Sequence, residues 1–126
     1  MLNVTSKMEY RAAYKNLDVW SKANELALSV YRVTKKFPKD ELFGLISQMR
    51  RAAVSVPANI VEGYSRNTKK DRVHFYYFSR GSLTELEYYI DLSLQLDYIT
   101  NEEHHQLIGL KNDAGRLLYG FINSSA

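Results

Sequence analysis

The chain contains no cysteine, so neither a disulfide nor a thiolate metal site can hold it together. Two prolines and six glycines in 126 residues leave no room for a flexible linker or a low-complexity tract, and each acts as local punctuation. No apolar run approaches the ~18 residues that a membrane-spanning helix needs. The opening MLNVTSKMEYRAAYK lacks the apolar core of a secretion signal. These absences lead to the expectation of a protein of the reducing cytoplasm with no membrane partner. Motifs for chemistry are scarce too. There is no glycine-rich phosphate loop and no Gly-x-Ser-x-Gly elbow. The three histidines are His74, His104 and His105, and the adjacent pair diverges by about 100° on a helix, a poor arrangement for sharing an ion. No catalytic residue, cofactor or metal is therefore expected, and the protein reads as a non-enzyme.

What is present is helical periodicity. Hydrophobic residues make up 45% of the chain and charged residues 25%, enough apolar material for one domain with its own core. Trp20, Ala23, Ala27, Val30 and Tyr31 recur at spacings of three and four, with Leu26 and Val33 beside them, and predict a helix from Leu17 to Lys36. Pro38 stops it, and Asp40 is placed to cap the next. A second helix is predicted from Glu41 to Tyr64, with Leu42, Leu45, Ile46, Met49, Ala53, Val56 and Ile60 inward and Gly63 as terminator. A third runs from Thr68 or Lys69 to Asp97, with Phe75, Phe78, Ser82, Leu86, Tyr89, Ser93 and Leu96 inward. A fourth follows a Thr100 or Asn101 cap and presents Leu107, Leu110, Ala114, Leu117, Leu118 and Phe121. No alternation of strand type competes. Four helices with short links predict an all-α, antiparallel up-down four-helix bundle over residues 17–123, preceded by a loosely ordered arm over 1–16.

The second helix carries two further patterns. Pro57 lies in its middle, where it removes a donor and crowds the Ala53 carbonyl; a bend there is expected. Beside the inner stripe runs a polar row, Gln48, Arg51, Ser55, Asn59 and Glu62. The third helix offers Ser82 and, at the edge of its stripe, Glu85. A carboxylate near a core requires a cation, so Arg51, Ser55, Asn59, Ser82 and Glu85 are expected to form a polar layer fixing which helix faces align, with Arg50 as an alternative cation. On the opposite side Phe43, Val54 and Val61 form a second apolar facet. One bundle core covers one facet, so this one is expected to meet another subunit, as a candidate oligomer surface, or the N-terminal arm.

Charge is uneven. Residues 1–80 hold 15 Lys/Arg against 7 Asp/Glu, a balance of +8, whereas residues 81–126 hold 2 against 7, a balance of −5. The asymmetry suits nucleic acid, pairing between copies, or neutralisation between neighbouring helices. Two basic clusters stand out, Lys35, Lys36 and Lys39 at the first turn, and Arg66, Lys69, Lys70 and Arg72 at the second. Tyr64, Tyr76 and Tyr77 lie near the second and are candidates for stacking on unpaired bases.

The segments LDVWSKANELALSVYRVTKKFPKDELFGL, QMRRAAVSVPANIVEGYSR and FYYFSRGSLTELEYYIDL resemble the four-helix-bundle proteins encoded in intervening sequences of bacterial 23S ribosomal RNA genes, over about Leu17 to Phe121. Arg50, Arg51, Ser55, Pro57, Asn59, Glu62, Gly63, Gly81, Ser82 and Glu85 match the family motif position by position. Val61 departs from it, alanine being usual there, as does the tyrosine-rich FYYFSR. The resemblance implies a subunit that assembles into a ring-like pentamer, and kinship with the basic accessory protein of diversity-generating retroelements, which works with a reverse transcriptase. It supplies no catalytic role. Residues and resemblance together lead to a non-enzymatic oligomeric bundle with RNA or DNA as candidate ligand at the basic turns. The alternative is a structural or adaptor oligomer that binds a protein partner without nucleic acid.

Overall fold

The structure, a computed structural model, describes residues 13–124. Four long helices are present: α1 (Asp18–Thr34), α2 (Ser47–Tyr64), α3 (Lys69–Gln95) and α4 (Asn101–Ser124). Each packs against its neighbours in sequence, and α4 closes on α1. The order of ends follows from two contacts. The Phe37 and Tyr98 rings lie 5.1 Å apart, joining the α1–α2 and α3–α4 turns at one end. Tyr76, near the start of α3, lies 5.0 Å from Phe121 near the end of α4, at the other end. The fold is an antiparallel up-down four-helix bundle. The arm expected over 1–16 lies mostly outside the described residues; its last part, Ala13–Asn16, forms a 3-10 turn whose Tyr14 ring rests 4.9 Å from Trp20.

The core is built from Ala23, Leu26 and Val30 of α1, Met49, Ala53, Val56 and Ile60 of α2, Tyr76, Leu83, Leu86 and Ile90 of α3, and Leu107, Ala114 and Leu118 of α4. Stripes expected on α1, α2 and α4 are largely those buried, although Tyr31 and Leu42 are exposed. On α3 the expected stripe is displaced. The buried line is Tyr76, Ser79, Leu83, Leu86, Ile90 and Ser93, one position on from Phe75, Phe78, Ser82 and Tyr89 along most of its length, and Phe78 is half-exposed. Gly63 decides this register. A Cβ on Gly63 would stand 2.6 Å from Tyr76 Cε1 and 2.9 Å from the Arg72 carbonyl, so only glycine lets the Tyr76 ring seat against α2. Gly63 is thus a close-approach residue inside α2, not its terminator.

α2 is helical through Pro57, which is buried. The start of the predicted second helix does change: non-helical backbone lies at Gly44 (φ −109°, ψ −112°), within a π-helical turn over Leu42–Ile46. There the cap is Glu41, whose Oε1 accepts from Leu45 N at 3.3 Å, rather than Asp40. Elsewhere the ends follow ordinary capping physics. Thr68 Oγ1 accepts from Asp71 N at 3.2 Å. Thr100 Oγ1 accepts from Glu103 N at 3.1 Å while Glu103 accepts from Thr100 N at 2.8 Å, a reciprocal capping box. Asp97 (φ 61°) closes α3 with Tyr98 N donating to Ser93 O and Asp97 N to Leu94 O, a Schellman arrangement.

Candidate functional site

The polar residues between α2 and α3 come together only in part. Ser82 Oγ donates to Ser55 Oγ at 2.8 Å, and Asn59 Nδ2 donates to Ser55 Oγ and to the Ser55 carbonyl, both at 2.9 Å. One turn deeper, buried Ser79 donates to the Val56 carbonyl at 2.8 Å. Arg51 and Glu85 are both exposed, and among the described residues neither makes a hydrogen bond or an ion pair. The expected charged layer is therefore a neutral one. Its hydroxyl and amide groups satisfy each other, so no charge has to be buried. Of the two adjacent arginines, the one that the bundle engages is Arg50, directed to α1 instead of α3. Its Nε donates to Thr34 Oγ1 at 2.9 Å, its Nη2 reaches the Tyr31 carbonyl at 3.4 Å, and its guanidinium lies 4.6 Å from the Tyr31 ring centre. This is the use of an arginine at a helix C-terminus, where carbonyls lack partners.

The two basic clusters lie at opposite ends and have different surroundings. Lys35, Lys36 and Lys39 share their end with Asp40, Glu41, Asp97, Glu102 and Glu103. Lys36 pairs with Glu103, and that ammonium, helped by the Thr100 N–H, holds the Glu103 carboxyl below its usual range. Tyr98 donates to Glu41 Oε2 at 2.9 Å, a bond that raises the phenol pKa above its ordinary value. At the other end Lys69 and Lys70 are exposed and have no acidic partner among the described residues. Arg66 pairs with Glu62 and lies 4.6 Å over the Phe75 ring. Arg72 donates to the Arg66 and Asn67 carbonyls at 3.3 and 3.1 Å, bracing the turn.

Next to this end, the first half of α3 exposes rings. Phe78 is 50% exposed and Tyr77 47%. His74, Phe75 and Phe78 stack edge to face within 6.1 Å, and Arg80 covers Tyr77 at 4.6 Å. Phe75 and Phe78 were expected to face inward, because the α3 stripe was read one position off, and His74 and Arg80 were not among the residues expected here. Of the expected stacking tyrosines, Tyr77 is available, Tyr64 is half-buried, and Tyr76 is fully buried. Burial pushes the Tyr76 phenol up to about 12, and its hydroxyl has no hydrogen-bond partner among the described residues.

Comparison with known proteins places this geometry. The family model described as 23S rRNA-intervening sequence protein matches residues 15–120. The chain belongs to this family. A crystal structure from Bacteroides thetaiotaomicron, of a protein with unknown function from the S23 ribosomal protein family, is similar at 23% identity, with a TM-score of 0.78 over 84% of this chain and 99% of that one; at that identity the likeness shows the shared fold. No curated protein matches.

In this intervening-sequence protein the facet Phe43, Val54 and Val61 is displayed unevenly. Phe43 is 92% exposed and Val54 is exposed too, while Val61 is half-buried. The Gly44 backbone sets Phe43 outward on the π-helical turn. No helix among the described residues is long and apolar enough to cross a membrane.

Proposed function

We propose that this family member is a non-enzymatic, self-assembling bundle that binds RNA or DNA at the end formed by the α2–α3 turn and the first half of α3. The observation that carries the reading is the combination there of uncompensated cations with exposed rings: Lys69 and Lys70 beside Arg66–Phe75, Arg80–Tyr77 and Phe78. Lysines attract the phosphate backbone without regard to sequence, and rings offer flat faces to unpaired bases. The opposite end carries lysines without this advantage, since an acidic turn lies among them. Lys35 and Lys39 are therefore secondary contacts and Lys36 is committed to its carboxylate. Self-assembly is supported by Phe43 and Val54, apolar side chains that the bundle core does not use. A ring would repeat the basic end once per subunit, and avidity would raise a weak single contact. The lack of cysteine is in keeping with a cytoplasmic role.

Titration of single-stranded RNA at two salt concentrations tests the reading. Binding should weaken steeply with salt, and Lys69→Glu with Lys70→Glu should lower the slope by ~1 per lost phosphate contact. Phe78→Ala should cost ~1–3 kcal/mol per stacked base and leave the slope alone. RNA of unchanged mobility at low salt would favour the adaptor reading, in which the same exposed rings meet a protein.

A further inference from the structure

Gly81 is exposed in the middle of α3, and a Cβ there would meet nothing within 4 Å. Glycine is a poor helix residue, and the packing of the bundle does not call for one at this position. Its missing side chain leaves a bare strip of backbone on the helix surface. Phe78 and Tyr77 stand three and four residues before it and Glu85 four residues after it, so they are its neighbours on that surface. The Phe78 ring lies back against His74, 4.6 Å between centres, and leaves the strip uncovered. Gly109 and Gly120 are open too, but their surroundings differ. The carboxylate four residues after Gly109, Asp113, is already paired with Arg116, and the residue four after Gly120 is Ser124.

The groups around Gly81 are of three kinds. The Tyr77 and Phe78 rings, about half exposed, offer flat apolar surface. Arg80 lies 4.6 Å over Tyr77 and has no acidic partner among the described residues. Glu85 is exposed and has no hydrogen-bond or ion-pair partner among the described residues. Long side chains on a helix lean towards its N-terminus, which brings this carboxylate within reach of the turn that holds Gly81. Rings beside an unpaired guanidinium suit the base and the phosphate of a nucleotide. A carboxylate repels phosphate and only accepts hydrogen bonds. It therefore sets which way a nucleotide lies, with its phosphate towards Arg80 and its base edge towards Glu85.

Resting on the nucleic-acid reading above, we infer that Gly81 is the floor of a base-reading site: one unpaired base lies over the bare backbone beside Phe78 and Tyr77, and Glu85 accepts hydrogen bonds from its Watson–Crick edge. Of the common bases, guanine answers such an acceptor best. Its N1–H and N2–H donors are adjacent and match the two carboxylate oxygens, as the paired donors of a guanidinium do. Adenine and cytosine each present an amino donor beside a ring nitrogen that is itself an acceptor. The uracil N3–H lies between two carbonyl oxygens. Each of these three sets an acceptor against Glu85. The ligand is accordingly a single strand with an accessible guanine, since pairing in a duplex occupies that edge. Lys69 and Lys70, about three turns towards the start of α3, take phosphates of the adjoining nucleotides.

Fluorescence anisotropy at low salt tests this with short oligouridine RNA and the same RNA carrying one central guanosine, inosine, adenosine or cytidine. The guanosine RNA should bind roughly 5- to 10-fold more tightly than oligouridine, the low end for a bidentate base contact because the site is open to water. Inosine, which keeps N1–H and lacks the amino group, should fall between them. Glu85→Gln should bring the guanosine RNA down to the level of oligouridine. Gly81→Leu, a helix-favouring change that covers the floor, should do the same, with circular dichroism showing that helicity is kept. The same order should appear in the matching thymidine-based DNA series, because the contacts named are to the base; an order confined to RNA would overturn the assignment. Equal binding of all the RNAs, or a guanosine preference that survives either variant, would overturn the base-reading site and leave the nucleic-acid reading standing. No binding of any strand at low salt would overturn that reading, and this inference with it.

Discussion

The two ends of the bundle begin from the same material and finish differently. Each receives a lysine-rich turn, but only one also receives the acidic turn between α3 and α4. There Lys36 meets Glu103, Glu41 meets Tyr98, and side chains cap both α4 and the turn that leads into α2. At the other end the ion pair Arg66–Glu62, the Thr68 cap and the Arg72 hydrogen bonds are local to the turn, and the contacts between helices are steric and aromatic: Gly63 under Tyr76, Arg66 over Phe75. A basic cluster in a sequence is thus not yet a basic surface. Its meaning depends on which turn the topology places beside it, and an up-down bundle places the first turn beside the third and leaves the second alone.

That contrast can be broken from either side. The largest effect is expected from Gly63→Val. The new side chain has no space against Tyr76 and the Arg72 carbonyl, and overpacking costs typically 1–3 kcal/mol; denaturant unfolding should show the loss. Next is Glu103→Gln, which removes the ion pair and weakens the capping box, for a loss of about 1 kcal/mol. Its pH dependence tells the ends apart. The Glu103 carboxyl is held below its ordinary value in the fold, so its contribution is present above the ordinary glutamate pKa and is lost as pH falls through the lower folded value. The variant should show a flatter acid limb in melting temperature. Tyr76→Phe should act oppositely. Removing a buried hydroxyl with no partner among the described residues should be neutral or stabilising by up to ~1 kcal/mol. Because the Tyr76 phenol is raised from 10.0 to about 12 in the fold, its contribution is complete below 10.0 and disappears as pH rises towards 12, and the phenylalanine variant should lack this alkaline loss. Least change in stability, within about 0.5 kcal/mol, should follow Lys69→Glu with Lys70→Glu. If melting moved substantially, those lysines would have a structural role.

The architecture was readable because α1, α2 and α4 each carry a helically spaced apolar stripe that the core largely buries and the turns are marked by Pro38, Thr68 and Thr100. The α3 register was not. Phe75, Tyr76, Tyr77 and Phe78 are four aromatics in succession, which point around the whole helix and so favour no face. The informative signal was further along, where Leu83 and Ile90 follow Tyr76 at intervals of seven, with Gly63 in α2 leaving room for one ring. The polar set was half readable for a similar reason. Ser55, Asn59 and Ser82 sit where the wheel places them, but the argument for Arg51 and Glu85 assumed that the carboxylate was close to the core. Both long side chains reach water from their positions, and a charge that can reach water has no need of a buried partner. Arg50 is also placed by a fact the wheel alone does not give, namely that α1 ends beside it.

The seam between α2 and α3 is closed by small groups. Ser55 meets Ser82, Ser79 meets a backbone carbonyl, and Ser93 lies 3.4 Å from the Met49 sulfur. With Gly63 at one extremity, these short side chains let the two rods lie close along much of their length. Opening them would expose backbone and hydroxyl groups together, in one cooperative step. Amide protons along this pair should therefore be the last to exchange with heavy water, with α1 and α4 loosening from it first.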